Sequence, residues 1–288
     1  MRACVAVDVA DRRLTQNPPR GDESGRVRRL QSPDVTAAFA AGRRVLPRGY
    51  ADFARQLAIW FGFLFAYQVA RGLADRDPSR AFANGWRVLD LEQRTTNHIL
   101  ELTFQKLADS SSFLQSLVAW TYWNSEFTVV GLALLWVYLR RNDAFTRFRN
   151  AILLANVLGL IGYVLLPTAP PRMFPSLGFL DTLDQFGGLN HGSGLVSLAA
   201  NPYAAMPSLH AADALIVGIV VASVVRRPIW KALWLLWPAW VWFTVMATGN
   251  HFWLDVLAGI SVGAISLAVV YRVRPRRLLP NLLRTSTP

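Results

Sequence analysis

A chain of 288 residues that is 53% hydrophobic, with 11 Trp and 16 Phe, carries its apolar residues in long blocks rather than in alternation. Blocks approaching twenty residues with hardly a charge have the length needed to cross a bilayer, which excludes an ordinary soluble domain and predicts a multi-pass membrane protein. The net charge of +12 rests almost entirely on arginine, and in a membrane chain that bias marks cytoplasmic loops and anionic headgroups, not a nucleic-acid partner.

Residues 1–50 are rich in Arg, Asp and Pro without a sustained period, and are expected to form a disordered basic cytoplasmic tail. A cleavable signal peptide is not expected, because the apolar stretch after Arg2 is short and broken by Asp8 and Asp11. Cys4, the single cysteine, leaves no internal disulfide and no cysteine-based zinc site. Leu57 to Val69 is the core of a first span, flanked by Arg55 and Arg71. From Asp75 to Ser112 the charge is mixed, and Trp86, Val88, Leu89, Leu91, Ile99, Leu100, Leu102 and Phe104 recur at roughly helical spacing. One or two amphipathic helices at the membrane interface are expected there.

Phe113 to Leu139 is the second span, with Asn124 and Glu126 inside it. An acid within a span is expensive, so Glu126 is either a structural partner of a neighbouring helix or part of a site. Ala151 to Leu166 is the third span, stopped by Pro167-Thr168-Ala169-Pro170-Pro171-Arg172. Pro207 opens the fourth, which runs to Val225, in keeping with the preference of proline for the first helical turn. Ile229 to Ala247 is the fifth and Phe252 to Tyr271 the sixth. The expected fold is therefore an all-α integral membrane protein, a bundle of six transmembrane helices with interfacial amphipathic helices between the first and second spans. Residues 51–274 form its membrane domain and 275–288 a cytoplasmic C-terminal tail.

Six spans place the N-terminus, the 140–149 loop, the 226–231 turn and the C-terminus on one side, where 23 of the 30 basic residues meet 7 acidic ones. The positive-inside rule makes that side cytoplasmic. The end of the third span, the start of the fourth and the start of the sixth then share the opposite face of a cell membrane. Three polar clusters distant in sequence converge there: Pro170-Pro171-Arg172, Pro207-Ser208-Leu209-His210 and Asn250-His251-Phe252-Trp253-Leu254-Asp255.

These clusters hold what phosphoryl transfer demands without a cofactor. A neutral imidazole attacks phosphorus when a carboxylate fixes its tautomer, a role His251 with Asp255 four residues on can fill. A second histidine, His210, can protonate the leaving alkoxide. Arg172 offers a bidentate fork for phosphate, and the start of the fourth helix at Ser208 and Leu209 offers backbone N–H groups and a hydroxyl. Asn250, Asp213 and Glu126 are candidate supporting residues, Asp213 lying where it could orient His210. The same histidines and aspartate could instead hold zinc. His98 and His191 read as packed interfacial residues.

At these residues the chain resembles the type-2 phosphatidic-acid phosphatase superfamily. Pro-Ser-Leu-His at 207–210 and His-x3-Asp at 251–255 resemble its second and third signatures. The Leu before His210 and Pro-Pro-Arg at 170–172 look more like the branch containing inositol-phosphorylceramide synthases. The resemblance covers roughly residues 55–272. It implies His251 as nucleophile, Asp255 as its partner and His210 as acid/base, with no metal and no cofactor, acting on a lipid phosphate. Two signature cations are absent, Leu165 standing where the family has Lys and Val245 where it has Arg. Fewer cations would then hold phosphate, enlarging the part of Arg172. Hydrolase and transferase stay open, because an alcohol acceptor replaces water in the same geometry. A lipid or solute transporter using Glu126, Asn124 and Asp213 is the alternative from another class.

Overall fold

The computed structural model describes residues 46–73, 77–182 and 201–271, all within one compact unit, Gly42–Pro288. The proposed tails, the loop around His191 and Cys4 lie outside those residues, apart from the last five positions of the N-terminal one. The described chain is helical throughout apart from loops and one isolated bridge between Thr168 and Ala204.

Nine α-helices follow in order among the described residues. They are α1 (Gly49–Leu73), α2 (Pro78–Thr96), α3 (Leu100–Asp109), α4 (Ser112–Asn124), α5 (Val130–Arg140), α6 (Asn142–Leu165), α7 (Leu209–Val224), α8 (Pro228–Ala247) and α9 (Trp253–Tyr271). Between α4 and α5 the chain makes one wide π-helical segment, Ser125–Val129, so that residues 112–140 form a single rod with a bulge at Glu126. Such bulges push a side chain out of the regular helical register and cluster at functional positions.

Three helices, α6, α8 and α9, are long and apolar enough to cross a membrane, and α7 is apolar but shorter. Large apolar side chains such as Phe61, Phe65, Leu132, Leu236 and Val269 stay exposed around the bundle, as lipid-facing residues do. The amphipathic stretch between the first two expected spans forms α2 and α3. Its buried face differs from the expected one, however: Val88 and Leu89 are buried, whereas Trp86 and Leu91 are exposed and the polar Asn84 and Glu92 turn inward.

Local chemistry sets the ends of the elements. Asp77 caps α2, accepting the Ser79 N–H at 2.9 Å, with Pro78 in the first turn. Ser208 caps α7 by accepting the Ala211 N–H at 3.3 Å, and Pro228 opens α8.

Helix α7 is the centre of the bundle and packs most extensively on α8 and α9. Its buried face runs almost all the way round, from Leu209 to Ala222. The closest approach is to α9 at Gly259, where an added Cβ would come 2.1 Å from the Ser208 carbonyl oxygen. Only a glycine lets the two helix N-termini meet there, and those N-termini carry His210 and the segment just after His251.

Candidate active site

Three loops are stitched together by backbone hydrogen bonds before any functional side chain is considered. The Thr168 N–H donates to the Tyr203 carbonyl at 2.8 Å, and the Ala205 N–H donates back to the Thr168 carbonyl at 3.3 Å. The Arg172 N–H donates to the Gly249 carbonyl at 2.8 Å, and Gly249 takes a φ of +67°, the left-handed region that glycine tolerates. The Ser208 N–H donates to the Asp255 carbonyl at 2.9 Å. The three polar clusters thus share one framework, and the side chains of Arg172, His210, Asn250 and His251 line one small polar cavity with Glu126.

His251 is buried, and its Nδ1 lies 2.8 Å from the Ala205 carbonyl oxygen. A carbonyl oxygen only accepts, so Nδ1 carries the proton and Nε2 keeps its lone pair. Burial pushes the His251 pKa down to about 4, against the opposing pull of the Ala205 carbonyl, so the ring is neutral near pH 7. A neutral imidazole with a defined tautomer can act as a nucleophile.

Asp255 is placed differently from the sequence expectation. Its Oδ2 is 3.8 Å from His251 Nδ1 and instead accepts the Phe252 N–H at 2.8 Å. The reason is that α9 begins only at Trp253, so His251 precedes the helix and the one-face geometry of residues four apart does not apply. Asp255 closes the helix N-terminus and stands beside the imidazole rather than serving as its direct acceptor.

His210 faces His251 with ring centroids 5.9 Å apart. Its Nε2 lies 3.3 Å from Glu126 Oε2, and Tyr122 stacks on its ring at 4.5 Å with planes 19° apart. The acid inside the second expected span therefore has a partner in the site. Asp213, in contrast, turns away to accept from Asn156 Nδ2 at 3.1 and 3.3 Å and does not orient His210.

Arg172 donates to Asn250 Oδ1, and its Nε lies 3.4 Å from Asp181 Oδ2. Ser208 and Leu209 do not line the cavity. The Ser208 hydroxyl is spent on its helix cap, and Leu209 is buried in the core, in the space beside Gly159. Among the described residues no group of three His, Cys, Asp or Glu converges as a metal-binding set.

Several residues at the site escaped the sequence. Arg71, Tyr122 and Tyr163 line the cavity, each alone on its helix with no spacing to mark it. Two buried acids, Glu92 and Glu101, close the start of α9: Glu92 Oε1 accepts the Leu254 N–H at 3.0 Å, and Glu101 Oε1 accepts the Trp253 N–H at 2.6 Å. They satisfy backbone donors that a helix leaves open at its start. Burial, with the neighbouring carboxylates adding to it, raises the pKa of both.

A model of the PAP2 superfamily matches residues 86–269, and this stretch contains Arg172, His210, His251 and Asp255. The chain belongs to the PAP2 superfamily. This PAP2 protein is also 30% identical over 138 residues to a phosphoinositol dihydroceramide synthase of Bacteroides thetaiotaomicron. That match covers 43% of the present chain and 45% of the relative, less than half the length of each. A synthase of that type is consistent with the branch that Pro-Ser-Leu-His and Pro-Pro-Arg resemble. No solved structure matches. Family membership, with three helices among the described residues long and apolar enough to cross a membrane, supports a membrane enzyme acting on phosphate esters.

Proposed function

We propose that this PAP2 protein transfers a phospho-headgroup from a membrane lipid to an alcohol or to water through a phosphohistidine intermediate on His251. The observation that carries the reading is the 2.8 Å contact of His251 Nδ1 with the Ala205 carbonyl, which leaves Nε2 as the nucleophilic lone pair. In the first half-reaction Nε2 bonds to phosphorus as the bond from phosphorus to the leaving oxygen breaks. His210 gives that oxygen its proton, and Glu126 stabilises the imidazolium that supplies it. The positive charge that appears on His251 is met by the Ala205 carbonyl and by Asp255 at 3.8 Å. Arg172 holds a non-bridging oxygen. In the second half-reaction His210 takes a proton from the acceptor, the acceptor oxygen bonds to phosphorus, and the N–P electron pair returns to Nε2.

The relative's name extends the reading to a phosphoinositol headgroup as the group moved and a ceramide-like alcohol as the acceptor. The chemistry asks for no metal and no cofactor. Product analysis tests the function directly: the purified protein is given a panel of phospholipids, with and without a long-chain alcohol. Headgroup transfer, or headgroup release, supports the reading, and unaltered lipid throughout refutes it.

The membrane arrangement proposed with this function is six spans, adding α1, the α4–α5 rod and α7 to the three long apolar helices. Residues 51–274 form the catalytic domain, with α2 and α3 at the interface. Residues 1–50 and 275–288 are cytoplasmic tails, and the cavity opens to the extracytoplasmic face. The distribution of basic residues supports it. A Ser176→Cys variant should react with a membrane-impermeant thiol reagent in intact cells whereas the native Cys4 does not; the reverse pattern would turn the site inward.

A further inference from the structure

The least expected residue at the cavity is Arg71. It comes from the last turn of α1, outside the residues matched by the superfamily model, yet it lines the same pocket as His210 and His251. Its guanidinium carbon lies 5.8 Å from the centre of the Tyr163 ring, which also faces the pocket. Its Nε is shielded from solvent and has no hydrogen-bond partner among the described residues.

The other charged groups of the pocket are already engaged. Arg172 is held by Asn250 and Asp181, and Glu126 lies against His210. Arg71 is thus the cation of the pocket that keeps a buried N–H without an acceptor among the described residues. A buried cation with an open donor is costly for a fold to keep, whereas an arginine fork without a carboxylate is a ready receptor for a phosphate oxygen. The aromatic face of Tyr163 steadies the guanidinium without using its N–H groups.

We infer that Arg71 is a phosphate-binding residue, the second arginine of the site, donating to a non-bridging oxygen of the substrate from a helix that does not carry Arg172. This rests on the phosphoryl-transfer reading above and names a residue that its motifs do not contain. Two arginines on one phosphate explain how the site binds an anion although Arg172 is shared with Asp181.

The test uses inorganic phosphate as the probe and the full-length protein in detergent. Binding is followed by the phosphate dependence of the melting temperature in the native chain, Arg71→Gln, Arg71→Lys and His251→Ala. The native protein and His251→Ala should both be stabilised by phosphate. Arg71→Gln should lose affinity by about tenfold or more, the usual scale for one charge-assisted hydrogen bond, and Arg71→Lys should recover part of it. In phosphate-free buffer Arg71→Gln should melt at or above the native temperature, because it removes a buried cation whose desolvation opposes folding. Native-like phosphate affinity in Arg71→Gln would overturn the assignment, as would absence of phosphate binding by the native protein. A Gln variant that melts well below native without phosphate would make Arg71 structural and overturn it too. Turnover is scored separately on the native protein. If Arg71→Gln binds phosphate normally while the native protein moves headgroups, only the Arg71 assignment falls. If Arg71 governs phosphate binding but no lipid is ever turned over, only the phosphoryl-transfer reading falls.

Discussion

The ring of His251 donates its Nδ1 proton to the backbone carbonyl of Ala205 at 2.8 Å. The tautomer is therefore fixed by main chain, and the carboxylate of Asp255 stands a further ångström away, at 3.8 Å. Ala205 is itself held in the stitched loops, so the acceptor that orients the His251 ring belongs to the same framework as Arg172 and His210.

Asp255→Asn should accordingly cost less than the loss of a direct His–Asp acceptor, which is about 10⁴-fold in turnover. An asparagine can still accept the Phe252 N–H, and Ala205 still holds Nδ1, so the expected fall in kcat is about 10- to 100-fold with the melting temperature little changed. Steady-state kinetics on the purified variant checks this, and a loss near 10⁴-fold would return the orienting role to Asp255.

Glu126 Oε2 lies 3.3 Å from His210 Nε2, where the proposed mechanism has it support a proton on that ring. Glu126→Gln should lower turnover of a natural lipid by about 10²-fold, the scale of one general acid. The loss should shrink for an activated ester whose leaving group needs no proton. Equal losses for both substrates would make Glu126 a packing residue.

The pH profile follows from His251. Burial brings its pKa from 6.5 to about 4 in the folded protein. Above pH 6.5 it is neutral folded and unfolded, and contributes no pH dependence. As pH falls from about 6.5 to about 4 the unfolded chain takes up a proton that the folded one refuses, so stability declines across that window and its loss is complete below it. The acid limb of kcat/KM due to the nucleophile should also appear near pH 4 rather than 6.5. Rate profiles and melting curves across this range test both signs.

Glu101 accepts the Trp253 N–H at 2.6 Å, two residues beyond His251. Glu101→Ala leaves a buried donor unpaired and should cost about 1–3 kcal/mol of stability. Glu101→Gln retains an acceptor and removes a group whose charged form burial disfavours, so it should melt at or above the native temperature. Thermal denaturation of the two variants side by side separates a lost hydrogen bond from a lost charge.

Much of this site was legible before the structure because its chemistry is concentrated in short motifs. Arg172, His210 and His251 sit at the ends of apolar runs, and the alternation of span directions alone brings those ends to one face. What spacing could not show is which atoms touch. His251 lies before α9 rather than on it, so Asp255 turns to its own helix end. Ser208 is consumed by a cap. Glu126 reaches His210 because the rod bulges at Ser125–Val129, a departure from regular helix that no residue type in that stretch announces. Arg71, Glu92 and Glu101 come from three further helices as single residues, and an isolated arginine at the end of an apolar run reads as an ordinary membrane flank.

The central claim is the covalent intermediate on His251, and trapping it is the most direct measurement. The protein is mixed briefly with a phospholipid labelled in its phosphate, quenched in alkali and digested, and the label is sought as acid-labile phosphohistidine. The account predicts label on His251 in the native protein and none in His251→Ala. In His210→Ala it predicts slow labelling from the lipid but near-native labelling from an activated phosphate ester. Label persisting in His251→Ala while vanishing from His210→Ala with both substrates would contradict the account and exchange the two roles.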